Sequence, residues 1–164
     1  DDPATLALIY GFLAGGHQHL LRYDESDRWA RVSMKMGERK KYPAAIALGY
    51  EFLSENETAR GQWDRGIESA ARNRDEGGKA GSLARVAWSG LPTAQSLHGK
   101  GELAAARTAA EEALELSERI GEERLATWLG PMAAIIAADI GDDDGAAPHA
   151  DRAWRRARSA RPST

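Results

Sequence analysis

The chain contains no cysteine, so disulfides, thiolate nucleophiles and zinc–thiolate centres are excluded. That absence suits a reducing compartment, and a cytoplasmic location is the expectation. No uninterrupted apolar run is long enough to span a bilayer, and no basic segment followed by an apolar one opens the chain. The net charge is only −3, so nothing pulls the whole chain toward nucleic acid or a membrane surface. Recognisable catalytic chemistry is also missing. Ser and His occur in no nucleophile–base arrangement, and Gly77-Gly78-Lys79-Ala80 lacks the spacing of a phosphate-cradling loop. An enzyme is therefore not expected, and no cofactor or metal is implied. The chain does not begin with Met, and reads as a piece of a longer polypeptide.

What is present is repetition. Leu8-Ile9-Tyr10-Gly11-Phe12-Leu13-Ala14 returns forty positions later as Leu48-Gly49-Tyr50-Glu51-Phe52-Leu53-Ser54. Trp88-Ser89-Gly90 and Trp128-Leu129-Gly130 continue the series, with Ala94 and Ala134 in the closing slot. Such a period marks a solenoid, in which each unit buries its apolar face by stacking on its neighbours. The 164 residues divide into four units, about 3–40, 41–80, 81–122 and 123–160, forming one domain.

Helical spacing runs through every unit, and no stretch reads as a strand. Asp2-Pro3 opens the first helix, with Asp as N-cap and Pro where its missing N–H costs nothing. Glycines punctuate the rest: Gly15-Gly16 as a fray or bend, Gly37 as a C-cap, Gly77-Gly78, Gly121 and Gly141 as ends or turns. On this reading one unit lengthens to 44 residues, from Gly77 to Gly121. Pro92 and Pro131 fall inside expected helices and should kink or restart them. The tail from Arg158 to Thr164 should be frayed. The fold class is all-α, a solenoid of eight helices in four hairpins.

The turn-and-second-helix pattern resembles the tetratricopeptide repeat. Gly101, Leu103, Ala106, Ala110 and Ala113 carry the resemblance best. Gly61, Trp63, Gly66 and Ala70 follow it, with Asn73 as a departure. Gly141, Ala146, Ala150 and Ala153 follow it except for Asp143, as do Tyr23, Ser26, Ala30 and Ser33 except for Leu21. Small residues there let the helices of a hairpin approach closely. The unit is longer than the family's commoner 34 residues. Long, degenerate repeats of this kind resemble arrays in large bacterial signalling proteins, where they serve as sensory or regulatory segments.

The resemblance implies a right-handed superhelix whose first helices line a concave groove for a protein or peptide partner. The implied groove slots hold Leu8, Leu48, Trp88 and Trp128; then Gly11, Glu51, Leu91 and Pro131; then Gly15, Glu55, Gln95 and Ile135. Trp88, Trp128, Leu91 and Leu48 are the expected apolar contacts, and Glu51, Glu55 and Gln95 the polar selectors. A clamp of Lys and Asn on a peptide carboxylate, used by some of these arrays, has no counterpart in these slots. The alternatives are a self-association module, because the terminal units lack a dedicated polar cap, and a sensor of a small ligand or signalling peptide.

Other features have plainer readings. His17 and His19 do not share a helix face. Asp142-Asp143-Asp144 reads as a turn and helix N-cap. Lys35, Arg39, Lys40 and Lys41, and Arg152, Arg155, Arg156, Arg158 and Arg161, read as solvated faces rather than a nucleic-acid surface.

Overall fold

The computed structural model describes residues 2–159 and, among them, contains helices and tight turns but no strand. The elements are α1 (Pro3–His19), α2 (Tyr23–Lys40), α3 (Pro43–Ala59), α4 (Trp63–Lys79), α5 (Leu83–Trp88), α6 (Gly90–Gly99), α7 (Leu103–Ile120), α8 (Glu123–Ile140) and α9 (Asp143–Ser159). Counting α5 and α6 as one broken helix gives eight helices in four hairpins. Helices α1, α3, α5–α6 and α8 form one layer, and α2, α4, α7 and α9 the other. No helix among the described residues is long and apolar enough to cross a membrane.

One turn is used seven times, every twenty residues. Leu21, Lys41, Gly61, Gly81, Gly101, Gly121 and Gly141 all have positive φ. At each, the left-handed residue's N–H donates three positions back, and the next N–H donates five positions back. At the first turn these are Leu21 N to Gln18 O, 2.8 Å, and Arg22 N to His17 O, 2.9 Å. This is the Schellman motif, which satisfies carbonyls that the helix end leaves open. Glycine fills five of the seven positions because it alone has no Cβ to strain there.

The turn series corrects the expected roles of three glycine sites. Helix α2 runs past Gly37, and α4 runs past Gly77 and Gly78, so the period stays at 40 and no unit lengthens to 44. Gly37 and Gly77 instead serve packing: a Cβ on Gly37 would lie 2.8 Å from Ile46 Cγ1, and one on Gly77 would lie 2.7 Å from Arg85 Cβ. Helix α1 likewise continues through Gly15, which lies under the Phe52 ring.

Asp2 caps α1 as expected, accepting from Ala4 N at 3.2 Å and Thr5 N at 3.1 Å. Asp142 caps α9, accepting from Gly145 N at 2.9 Å, while Arg107 donates to its other oxygen at 2.8 Å. Arg158 closes the last helical turn rather than fraying; residues 160–164, including Arg161, lie outside the described residues.

The two prolines behave differently. Pro92 is buried, and the helix breaks just before it, at Ser89. Pro131 stands on an exposed face, as does Thr127 four residues earlier, and α8 runs through without interruption. An exposed carbonyl freed by proline can bond to water, whereas a buried one has no such recourse.

Small residues pack the layers together. Ser26, Ala30, Ser33, Ala70, Asn73, Ala106 and Ala110 are fully buried along the outer helices. Ser33 Oγ donates to Ala7 O at 2.8 Å, tying α2 to α1. The larger core residues come from the inner layer: Leu48, Leu125, Leu129 and Ile136 are wholly enclosed. On the terminal helix Ala150 is exposed, because α9 packs mainly on α8 and no further hairpin among the described residues covers it.

Candidate binding groove

The inner layer encloses a groove of about 610 Å³. Its wall is drawn from the end of α1 (Gln18, His19), the second half of α3, the start of α4, both halves of the broken helix, and α8. The repeat explains this composition. One slot per unit, at the last helical turn, supplies Gln18, Thr58 and His98. The slot fifteen residues into the unit supplies Glu55 and Gln95.

Three of the five tryptophans line the groove: Trp63, Trp88 and Trp128. They are held in different ways. Trp88 is only 8% exposed and packs with Leu91, Leu125 and Leu129, so it is core first and groove wall second. The Arg124 guanidinium sits 4.7 Å from its ring centroid, close enough for a cation–π contact. Trp128 is 61% exposed and presents its indole to the groove. Trp63 covers Gly99, whose absent side chain leaves room for the indole.

Two carboxylates lie one helical turn apart on α3. Glu51 is buried, and Arg85 Nη1 donates to its Oε2. Burial raises the Glu51 carboxyl pKa more than the Arg85 contact lowers it. Glu55 is half-buried and makes no hydrogen bond or ion pair with any described residue. Burial, reinforced by the neighbouring Glu51 and offset by Arg124 and Arg85, pushes its pKa up to about 8. Gln18 Oε1, in the same wall, is buried without a hydrogen-bond partner. His98 Nε2 lies 2.6 Å from Asp139 Oδ2 and is thereby held at the rim.

The structure therefore brings together Trp88, Trp128, Leu91, Glu51, Glu55 and Gln95 in one wall. It does not bring Leu48 there. Leu48 is 1% exposed and fills the space above Gly11, between α1 and α3, so it is a core residue. Gly11 and Gly15 are buried under Leu48 and Phe52, so the first unit reaches the groove only through Gln18 and His19. Ile135 and Pro131 are exposed but lie outside the groove wall. Sequence reasoning missed Trp63, Met132, His98 and Arg124. Arg124 carried a signal, because its repeat slot otherwise holds Ala4, Ala44 and Ala84.

Two of the basic residues of the last helix, Arg152 and Arg156, pair with α7, whereas Arg155 pairs with Asp151 on its own helix. Arg156 Nη2 donates to Glu118 Oε1 at 2.7 Å and Arg152 Nη1 to the same oxygen at 3.2 Å. These contacts lower the Glu118 pKa, with the Arg156 hydrogen bond the largest cause. His17 and His19 diverge, with His19 in the groove wall and His17 Nδ1 buried without a partner.

No protein-family model matches the chain, and no curated protein matches it. Solved structures similar to it include the following two. One is aspartyl phosphate phosphatase F from Bacillus subtilis, at a TM-score of 0.84 and 10% identity, over 98% of this chain and 42% of that one. The other is BtubC (BKLC) from P. vanneervenii, at a TM-score of 0.78 and 18% identity, over 100% of this chain and 68% of that one. The chain thus spans less than half the length of the phosphatase. At these identities the likeness concerns the fold, and the fold is a tetratricopeptide-like helical-repeat solenoid.

Proposed function

We propose that this chain is a peptide- or protein-binding module whose site is the concave groove, and that it acts as a regulatory segment of a larger bacterial signalling protein. The observation that carries the reading is Trp128. An indole 61% exposed inside a groove of about 610 Å³ is an apolar surface that lacks a partner. Trp88 and Leu91 form the floor beneath it, and Glu55 and Gln95 supply polar selection. The groove contains both apolar walls and polar groups, the mixture that an extended peptide requires.

The test compares what the segment retains from a bacterial lysate with what its Trp128→Ala and Trp154→Ala variants retain. Trp154 is 59% exposed on α9, outside the groove, and controls for general indole stickiness. A protein kept by the wild type and Trp154→Ala, but lost by Trp128→Ala at unchanged helicity, supports the groove. Equal retention by all three refutes it.

Self-association is the second reading, and α1 favours it. Leu6, Ile9, Phe12, Leu13 and Leu20 are 37–64% exposed along this helix, which only α2 and α3 cover. Sedimentation showing a concentration-dependent mass, abolished by Ile9→Lys/Leu13→Lys, supports this reading; a strict monomer refutes it.

A further inference from the structure

Within the groove reading, on which this inference rests, the wall is uneven in its polar groups. Glu51 has Arg85, and His98 has Asp139. Arg124 lies on the Trp88 ring. Among the described residues Glu55 has no hydrogen-bond or ion-pair partner, and the buried Oε1 of Gln18 has no hydrogen-bond partner. Both face one groove; the Gln18 oxygen is an acceptor, and Glu55 becomes acceptor-only once it is ionised. A buried acceptor without a donor is unfavourable until something supplies one. The wall also holds two indoles, Trp63 and the exposed Trp128, and indole rings attract cations. Acceptors without donors, beside indole faces, call for a ligand group that is flat, positively charged and rich in N–H donors. The guanidinium has five such donors and stacks on aromatic rings; an ammonium is a smaller, more strongly hydrated point charge.

We propose that the groove recognises an arginine side chain of an extended peptide, with Glu55 as its counter-charge, Gln18 as a second acceptor and the Trp63 and Trp128 indoles as its walls. The alternating slots support this from the sequence side. At the position of Glu55 the other units carry Gly15, Gln95 and Ile135, and at that of Glu51 they carry Gly11, Leu91 and Pro131. Acid in the groove-facing slots is thus confined to the second unit, whose Glu55 lines the same groove as the exposed indole of Trp128. Arg124 is the competing cation, but it is exposed and engaged with Trp88, so it weakens the field at Glu55 without contacting it.

Binding should release a proton. The free carboxyl titrates at about 8, and a guanidinium beside it favours the ionised form. The groups facing Glu55 are Glu51 on α3, Arg85 on α5 and Arg124 on α8; Glu122 acts on Glu51, and His19 and the His98–Asp139 pair stand at the rim.

The experiment uses three pools of N-acetylated, C-amidated hexapeptides with one fixed position, arginine, lysine or citrulline, and apolar or small residues elsewhere. Binding is followed by fluorescence anisotropy at about pH 8.5 and about pH 6. The arginine pool should bind about tenfold tighter than the citrulline pool at the higher pH, with lysine between them. That preference should shrink, by up to about tenfold per pH unit, as the pH falls below the Glu55 pKa of about 8. Glu55→Gln should bring the arginine pool down to the citrulline pool while both still bind. The inference is overturned by equal binding of arginine and citrulline pools to the wild type, or by binding that tightens as the pH falls. It is also overturned if Glu55→Gln keeps the preference, or if N-acetylarginine amide alone binds as tightly as the pool. Pools that bind without charge preference leave the groove reading standing; pools that fail to bind at all refute both.

Discussion

The turn series makes a quantitative prediction at its two exceptions. Leu21 and Lys41 occupy left-handed positions at φ 58° and 52° that glycine fills in the other five turns. A side chain in that conformation costs about 1–2 kcal/mol. Replacing it with glycine relieves that strain but enlarges the unfolded ensemble, which takes back about 0.4–1 kcal/mol. Leu21 is 72% exposed and Lys41 is exposed, so little packing is lost. Each of Leu21→Gly and Lys41→Gly should therefore stabilise the fold by about 0.5–1 kcal/mol. The sites flank the 18 residues of α2, a separation of about 27 Å, so their effects should add. The double variant should melt about 2–8 °C higher for a chain of this size. Thermal unfolding followed by circular dichroism measures this. Gly121→Ala, in the same geometry, should lose about 1 kcal/mol or more. A double variant that melts at or below the wild-type temperature would refute the reasoning, since the shared turn would then not carry the strain assigned to it.

Three further outcomes follow from the core and the acids. Gly15→Ala would place a Cβ 2.5 Å from Phe52 Cζ, and overpacking there should destabilise the fold by about 1–3 kcal/mol in urea unfolding. Arg85→Met leaves the Glu51 carboxylate buried without its partner, so it should cost about 3–5 kcal/mol, and Glu51→Gln in the same chain should recover part of that loss. The Glu55 carboxyl is raised from 4.5 to about 8, so the native state holds a proton that the unfolded chain has released. Its contribution is complete below 4.5 and is lost as the pH rises through about 8. The slope is at most about 1.4 kcal/mol per pH unit, and comparing urea midpoints of wild type and Glu55→Gln across that range should reveal it; parallel curves would contradict the assignment.

The fold was legible because its information is periodic. Four copies of one unit, with glycines and small residues at fixed offsets, point to stacked hairpins before any coordinate is known. The misplaced ends show what period alone does not resolve. Gly37 and Gly77 read as stops, yet each is a helical residue without a side chain so that a neighbouring helix can approach. Composition cannot separate a glycine needed for backbone conformation from one needed for space, whereas the twenty-residue spacing of Gly61 through Gly141 could have done so. In the groove, slot arithmetic brought six residues to one wall but misassigned Leu48. The first unit carries a glycine at Gly11, so the second unit's Leu48 settles over it rather than into the groove. Trp88 and Trp128 share a slot yet differ in exposure, at 8% and 61%. α9 covers one side of the last unit, whereas the third unit has neighbours on both sides.

The five indole N–H groups give the most direct test of the groove as the binding site. Trp63, Trp88 and Trp128 line it; Trp29, stacked on Tyr10 at 5.2 Å, and Trp154 on α9 do not. Titrating the nitrogen-15-labelled protein with the tightest arginine-containing hexapeptide, and following the five indole signals, separates the two sets. The account predicts that the Trp63, Trp88 and Trp128 signals move together on one saturation curve while Trp29 and Trp154 stay fixed. Shifts confined to Trp29 or Trp154, with the groove indoles unmoved at saturation, would contradict it.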